Sequence, residues 1–287
     1  ATSLDLGALK VQGSAVFNYV DDRVRLAEAP GCKTVWTPAV FVSCTPFRRV
    51  GLSLRAFAKR SFRMPTFNDL YYAEMGNSKL RPEYVTQYNV GVAYKSANRP
   101  RGVLTQWSLS ADAYRNFVTD KIVAYPKGAQ FRWTMLNLGR VHITGVDATA
   151  GLTLQPCHGL FVTGKLQYTY QEAYDVTNPA DTYYRDQIPY IPWHSGSAVV
   201  QMQWRGWSMN YSFIYTGERY NQQENIVYNH TQPWYTSDLS VARMMRCGKY
   251  TLNAQLEVNN LFSQDYDVIL NYPMPKRNWR LTISIEL

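Results

Sequence analysis

The feature that most constrains this chain is a two-residue rhythm sustained over long segments. Between 249 and 259, Tyr250, Leu252, Ala254, Leu256 and Val258 alternate with Thr251, Asn253, Gln255, Glu257 and Asn259. Side chains along a β-strand point to opposite faces in turn, so this pattern makes one face apolar and the other polar. Residues 160–171 repeat it, with Leu160, Val162, Leu166, Tyr168 and Tyr170 opposing Thr163, Lys165, Gln167, Thr169 and Gln171. So does the C-terminus, where Trp279, Leu281, Ile283 and Ile285 oppose Asn278, Arg280, Thr282, Ser284 and Glu286. Scanning for this rhythm gives about twelve strands: 8–20, 34–44, 50–61, 84–97, 103–118, 141–155, 160–174, 191–204, 207–218, 234–246, 249–261 and 277–287. Strands of soluble domains usually run ~5–6 residues. A strand that crosses a bilayer at a tilt needs roughly 9–11. These segments fit the second case, and the fold class predicted is all-β, an antiparallel transmembrane β-barrel.

The connections sharpen the prediction, because short and long ones alternate. Thr45–Arg49, Asn98–Gly102, Pro156–Gly159, Arg205-Gly206 and Cys247-Gly248 are short, whereas 21–33, 62–83, 119–140, 175–190, 219–233 and 262–276 are long. All long loops then emerge at one end, as in barrels with short periplasmic turns and long extracellular loops. Trp204, Trp207, Tyr250 and Phe161 flank short turns, and Tyr94, Tyr170, Tyr215, Trp234 and Tyr235 lie near strand ends. Such rings belong at headgroup depth, where an apolar body meets a polar tip.

Composition removes several alternatives. No stretch approaches the ~18 uncharged apolar residues of a transmembrane helix. The net charge is +9, but the 30 Lys and Arg are scattered, with no run longer than a pair such as Arg48-Arg49, which argues against a nucleic-acid partner. Cys32, Cys44, Cys157 and Cys247 lack the spacing of a metal site. His194 and Ser195 are neighbours on a strand and face opposite ways, so they cannot act as base and nucleophile. Asp175, Asp181 and Asp186 match no calcium-loop spacing. No enzyme, cofactor or metal is expected. The N-terminus, Ala1-Thr2-Ser3-Leu4-Asp5, is not a signal peptide, so the expectation is a mature chain or a piece of a longer one.

The segment 55–95 resembles a known family. Phe62-Arg63-Met64-Pro65 is similar to its "FRAP" turn, and Asn77-Ser78-Lys79-Leu80-Arg81-Pro82-Glu83 to its "NPNL-x-PE" box; Gln87-Tyr88-Asn89-Val90-Gly91 follows. Val258-Asn259-Asn260-Leu261-Phe262, Asp265-Tyr266 and Tyr272-Pro273 are similar to its ending. The family is that of the TonB-dependent outer-membrane receptors of Gram-negative cells. Met64 replaces the usual Ala, Ser78-Lys79 replaces Pro-Asn, and Leu287 stands where many such barrels end in Phe. The resemblance implies a 22-stranded barrel closed by an N-terminal plug. Residues 1–287 would be its C-terminal part, from about strand eleven onward, with the plug, the TonB box and the first ten strands outside this chain. It implies as partners TonB, the remainder of the same receptor, the lipid bilayer and a surface lipoprotein lid. It also implies active import of a scarce nutrient. The block 62–83 looks closest to the vitamin B12 receptor subgroup, which favours cobalamin, with a ferric siderophore or haem as alternative. Haem receptors often place a His between the two motifs, and 66–76 holds none. The rival class is a passive porin.

The loops carry the candidate ligand contacts: Tyr71, Tyr72, Phe131, Trp133, Tyr183, Tyr184, Tyr220 and Tyr228, interleaved with Arg185 and Asn225 and with Arg132, Arg219 and Asn221. Amphipathic rings beside amides and guanidinium groups suit a large, flat, partly polar ligand. Polar residues of the strands, among them Lys165, Gln167, Gln201, Gln203, Asn253, Gln255 and Glu257, are expected to face the lumen.

Overall fold

The computed structural model describes residues 1–23, 33–47, 49–73, 75–98, 102–126 and 133–286. In chain order its strands are β1 (Thr2–Asp5), β2 (Leu9–Val20), β3 (Lys33–Cys44), β4 (Leu52–Arg63), β5 (Glu83–Lys95), β6 (Leu104–Pro126), β7 (Trp133–Cys157), β8 (Leu160–Asp175), β9 (His194–Trp204) and β10 (Trp207–Thr216). After them come β11 (Arg219–Tyr220), β12 (His230–Thr231), β13 (Trp234–Cys247), β14 (Tyr250–Asn259), β15 (Asp267–Ile269), β16 (Tyr272–Pro273) and β17 (Asn278–Glu286). One short helix, α1 (Phe67–Tyr71), lies in the connection after β4. Thirteen strands form a single antiparallel sheet in the order β1 to β10, β13, β14, β17, each beside its chain neighbour, while β11–β12 and β15–β16 are two-stranded ribbons within long connections. The sheet has β1 at one edge and β17 at the other, so it is a partial barrel wall and not a closed one.

All twelve predicted strands are present, and the short–long alternation holds except between β6 and β7, where only 127–132 separate the strands. Arg205-Gly206 is a two-residue turn with φ of 46° and 83°, the left-handed pair that matches the twist of the strands it joins. Two expectations are corrected. A thirteenth strand, β1, pairs with β2 from Thr2↔Gly13 to Asp5↔Lys10; its four residues are too few to show a period. The loop predicted at 119–140 is largely strand: β6 and β7 stay paired from Lys121↔Leu138 to Pro126↔Trp133. Asp120, at φ 54°, interrupts the ladder, and beyond it both faces are partly covered, Ile122 packing on Leu70 and Leu80. Alternation vanishes where neither face meets lipid.

The register assigns the faces. One face gathers Val90, Val92, Leu109, Val146, Leu152, Leu166, Val200, Leu256, Leu281, Ile283 and Ile285, all exposed in the bare wall. Exposed aliphatic surface on this scale is costly in water and belongs against acyl chains. Leu252↔Ile285 and Leu256↔Leu281 are direct cross-strand pairs on it, as expected for the lipid side. Trp204 pairs with Trp207 at the short-turn end and Tyr215 with Tyr235 at the loop end, bounding the apolar band with rings. The other face carries Lys165, Gln167, Gln201, Gln203, Asn253, Gln255 and Glu257, the lumen side of such a wall. Here Arg55 of β4 and Asp112 of β6 form a two-point ion pair across β5, with Nε donating to Oδ1 at 2.8 Å and Nη2 to Oδ2. The bridge passes over Gly91, which pairs with Arg55 on one side and Asp112 on the other. A Cβ on Gly91 would overlap Asp112 Oδ1 and come within 2.8 Å of its Cγ and 2.9 Å of Arg55 Nε. The principal apolar cluster, Val118, Leu138, Val141, Ile143, Ala173 and Ile188, sits at the loop end.

Candidate ligand mouth

Among the described residues, the loop end carries four connections, 64–82, 176–193, 217–233 and 260–277, of which the last three are bonded to one another. The first, 64–82, starts at α1, where Thr66 and Asp69 form a reciprocal cap. The Asp69 N–H donates to Thr66 Oγ1 at 3.2 Å, and the Thr66 N–H donates to Asp69 Oδ2 at 2.9 Å. Such a box satisfies helix donors that otherwise lack partners. Arg63 Nη2 adds a second donor to the Asp69 carboxylate at 2.9 Å. Burial works against ionising Asp69, but the Thr66 N–H and the Arg63 guanidinium outweigh it and hold the carboxyl below its usual range. The motif residues prove structural. Asn77 donates to the Met135 carbonyl at 3.0 Å. Arg81 exchanges hydrogen bonds with Asn137, its N–H donating at 2.9 Å and its carbonyl accepting at 3.0 Å. Buried Glu83 accepts the Ile122 N–H at 3.0 Å. This block ties α1 to the raised β6–β7 hairpin.

The second connection, 176–193, runs back along the upper edge of β8. The Ile188 N–H donates to the Ala173 carbonyl at 2.8 Å, and Ile188 fills the apolar cluster. Fully buried Gln187 accepts the Ala173 N–H at 2.8 Å and donates to the carbonyls of Gln171 and Ile191 at 3.3 and 3.1 Å. Each of these polar atoms is paired, as burial requires.

The third connection, 217–233, is held from both sides. Asn225 and Gln187 bond reciprocally: the Gln187 N–H donates to Asn225 Oδ1 at 2.8 Å, and Asn225 Nδ2 donates to the Gln187 carbonyl at 3.0 Å. The Asn225 N–H reaches Asp186 Oδ2 at 2.8 Å. Arg219, only 2% exposed, donates to the carbonyls of Asp267 and Val268 at 2.9 and 3.1 Å, securing the 260–277 connection. Desolvation pulls the Arg219 pKa below its ordinary value.

The predicted ligand residues occupy different settings on this frame. Tyr220 lies edge-on to Trp193 and His230, with ring centroids 5.7 and 5.8 Å apart, and His230 Nε2 is 3.3 Å from Glu218 Oε2. Tyr228 is 93% exposed at the tip of its loop. Tyr72 is exposed, while Tyr71 is half-buried, stacked on Phe67 at 6.2 Å. Tyr183 is half-buried and its carbonyl accepts the Asp186 N–H at 3.0 Å. Asn225 commits its side-chain amide to Gln187. Tyr184 and Arg185 stand apart from Tyr220 and Asn225, lining a cleft with Arg115, His142 and Glu172 on the apolar face. Trp133 opens β7 at the crest of the raised hairpin, and Phe131 and Arg132 lie outside the described residues. Neither Trp193 nor His230 is among the ligand residues expected from the sequence. His230 joins Tyr220 through the β11–β12 ribbon, Arg219↔Thr231 and Tyr220↔His230, whereas Trp193 comes from the second connection, where the Tyr190 N–H donates to the Tyr220 carbonyl at 2.7 Å. No group of three metal-ligating side chains occurs among the described residues.

Comparison with known proteins decides the class. The family described as TonB dependent receptor-like, beta-barrel, matches residues 2–261. The chain belongs to that family. It is one of outer-membrane transporters and receptors, not of enzymes. A vitamin B12 transporter, BtuB, from Photobacterium profundum is 25% identical over 238 residues, 82% of this chain and 35% of the relative. The BtuB of Vibrio vulnificus is 33% identical over 107 residues, 37% of this chain and 15% of the relative. Among solved structures, the ferric citrate transporter FecA matches 98% of this chain and 43% of its own, with a TM-score of 0.68 at 16% identity. The copper transporter OprC matches 96% of this chain and 45% of its own, with a TM-score of 0.66 at 16% identity. The chain therefore spans about a third of the first relative and under half of these solved structures.

Proposed function

We propose that this chain is the C-terminal wall and part of the mouth of an energy-coupled importer of cobalamin. The long loops open outward and the short turns face the periplasm. A plug contributed by the rest of the receptor fills the polar side of the wall, and TonB acts on that plug from the periplasm. What carries the reading is that the long connections at one end are fastened to each other through Gln187–Asn225 and Arg219–Asp267. They hold Trp193, Tyr220 and His230 in one cluster. Rings preorganised in this way stack on a macrocycle without losing much side-chain entropy, and the neighbouring polar groups meet its amides. The two relatives described as vitamin B12 transporters favour cobalamin as the cargo.

The test is equilibrium binding of cyanocobalamin, haem and ferric siderophores to the complete receptor under one set of conditions. Saturable cobalamin binding, weakened when Tyr220 or Trp193 is truncated to Ala, is the expected result. Tight binding of an iron chelate with none of cobalamin overturns the cargo and leaves the importer class standing. Ion conductance typical of an open pore, with no ligand bound, overturns the importer reading itself.

A further inference from the structure

The apolar face of β6, β7 and β8 carries two depressions, one above the other. The lower is a recess of about 350 Å³ floored by Ala111, Ala148 and Ala150 and walled by Val92, Leu109 and Leu166. The upper is a cleft of about 480 Å³ lined by Arg115, Arg140, His142, Glu172 and Arg185 among others. The register stacks them. Ala111, Ala148 and Tyr168 form one rung, Ala113, Val146 and Tyr170 the next, and Arg115, Thr144 and Glu172 the third. At about 3.3 Å per residue, the Arg115 rung lies ~13 Å along the strand from the alanine rung. An apolar recess thus leads toward the loop end and stops under a cationic cleft.

The charges of that cleft are unbalanced. Among the described residues, none of the three guanidinium groups is ion-paired. Arg115 lies over the Phe117 ring at 5.1 Å, and Arg140 Nη2 reaches only the Thr177 carbonyl at 3.4 Å. The sole carboxylate lining the cleft, Glu172, accepts the Tyr170 hydroxyl at 2.6 Å. Arginine forks match phosphate oxygens two at a time. Three of them gathered above an apolar recess, on the side of the wall that meets lipid, form a receptor for an anion attached to a hydrocarbon chain.

We propose that β6–β8 bind a phosphate-bearing lipid of the adjoining leaflet, an acyl chain lying in the alanine recess and the phosphate between Arg115 and Arg140. This site is on the opposite face from the lumen and is independent of the cargo.

The experiment uses the complete receptor, delipidated in detergent, and measures bound lipid by native mass spectrometry. The probes are a multiply acylated disaccharide lipid carrying two phosphate monoesters, the same lipid without phosphates, and inorganic phosphate. The phosphorylated lipid is expected to be retained at least ten-fold more tightly than its dephosphorylated form. Arg115→Gln with Arg140→Gln should abolish that preference. Ala148→Phe, which fills the recess, should weaken retention several-fold while both guanidinium groups remain. Unchanged thermal melting of the variants shows that they are folded. Equal retention of the two lipids overturns the proposal. So does binding of inorganic phosphate that displaces the lipid at millimolar concentration with Ala148→Phe without effect, because the site would then hold a free anion.

Discussion

Replacing Gly91 with Ala should have opposite effects on stability depending on what lies beside it. In a strand interior, Gly is less favourable than Ala by roughly 0.5–1 kcal/mol, because it loses more backbone freedom on folding. Position 91 reverses that preference, since a Cβ there would overlap Asp112 Oδ1 and approach Arg55 Nε to 2.9 Å. The Arg55–Asp112 bridge must then move or break. Its side chains are 49% and 16% exposed, so it falls between a buried charge-assisted pair and a surface one. Discounted for solvent, its loss costs about 1–2 kcal/mol. Gly91→Ala alone should therefore destabilise by ~0.5–1 kcal/mol after the intrinsic gain is subtracted. In an Asp112→Ala background the steric conflict disappears, and the same substitution should be neutral or stabilising. The assay is urea unfolding of the receptor from lipid vesicles for the four members of this cycle. A coupling of about 1–2 kcal/mol is expected. An equal loss in both backgrounds would show that Gly91 serves the backbone and not the ion pair, and would refute the reasoning.

Other perturbations probe the faces and the mouth. Leu256→Arg places a charge in the apolar band and should cost about 2–4 kcal/mol in vesicle folding; Gln255→Arg, one residue away beside Glu257, should cost little, and equal losses would contradict the faces. Asn225→Ala removes the reciprocal bonds to Gln187 and should speed amide exchange at 186–188 by roughly ten-fold or more, with the melting temperature of the wall unchanged. The folded Asp69 carboxyl sits below the 3.8 of the free group, so its contribution is present above that value and lost as pH falls through the folded one. Protease resistance of 64–82 should be intact at pH 5 and fall progressively below about pH 3.8, and Asp69→Asn should lose it at both. Single cysteines should label from outside intact cells at 225 and not at 206; the reverse pattern would invert the wall.

The wall was legible in the sequence because lipid enforces a simple rule: every second residue of a spanning strand must be apolar, and Leu252, Leu256, Ile283 and Ile285 obey it. Loop parity followed from strand count, without any side-chain contact. Legibility failed where that rule lapses. Above the membrane, β6 and β7 continue past Asp120 with both faces partly covered, so Lys121–Pro126 reads as loop while remaining paired to Trp133–Leu138. At the other extreme, β1 is four residues long and gives no periodic signal.

The mouth was harder to read for a different reason: aromatic type shows where a ring is useful and not what it touches. Tyr184 and Arg185 are adjacent to Asp186 and Gln187, yet the first pair lines a cleft on the apolar face while the second pins two loops together. Arg185 sits at φ 70°, a left-handed turn that reverses the chain between those two environments. Sequence proximity therefore says little about shared function in 176–193. What places Tyr220 beside His230 is a ribbon of two residues per strand, held by Arg219 through carbonyls nearly fifty residues further on, and what places it beside Trp193 is the Tyr190 N–H bonded to its carbonyl. The arrangement of rings at this end is a property of long-range hydrogen bonds, and under the proposed function Asn225, Gln187 and Arg219 act on binding through the rings they position.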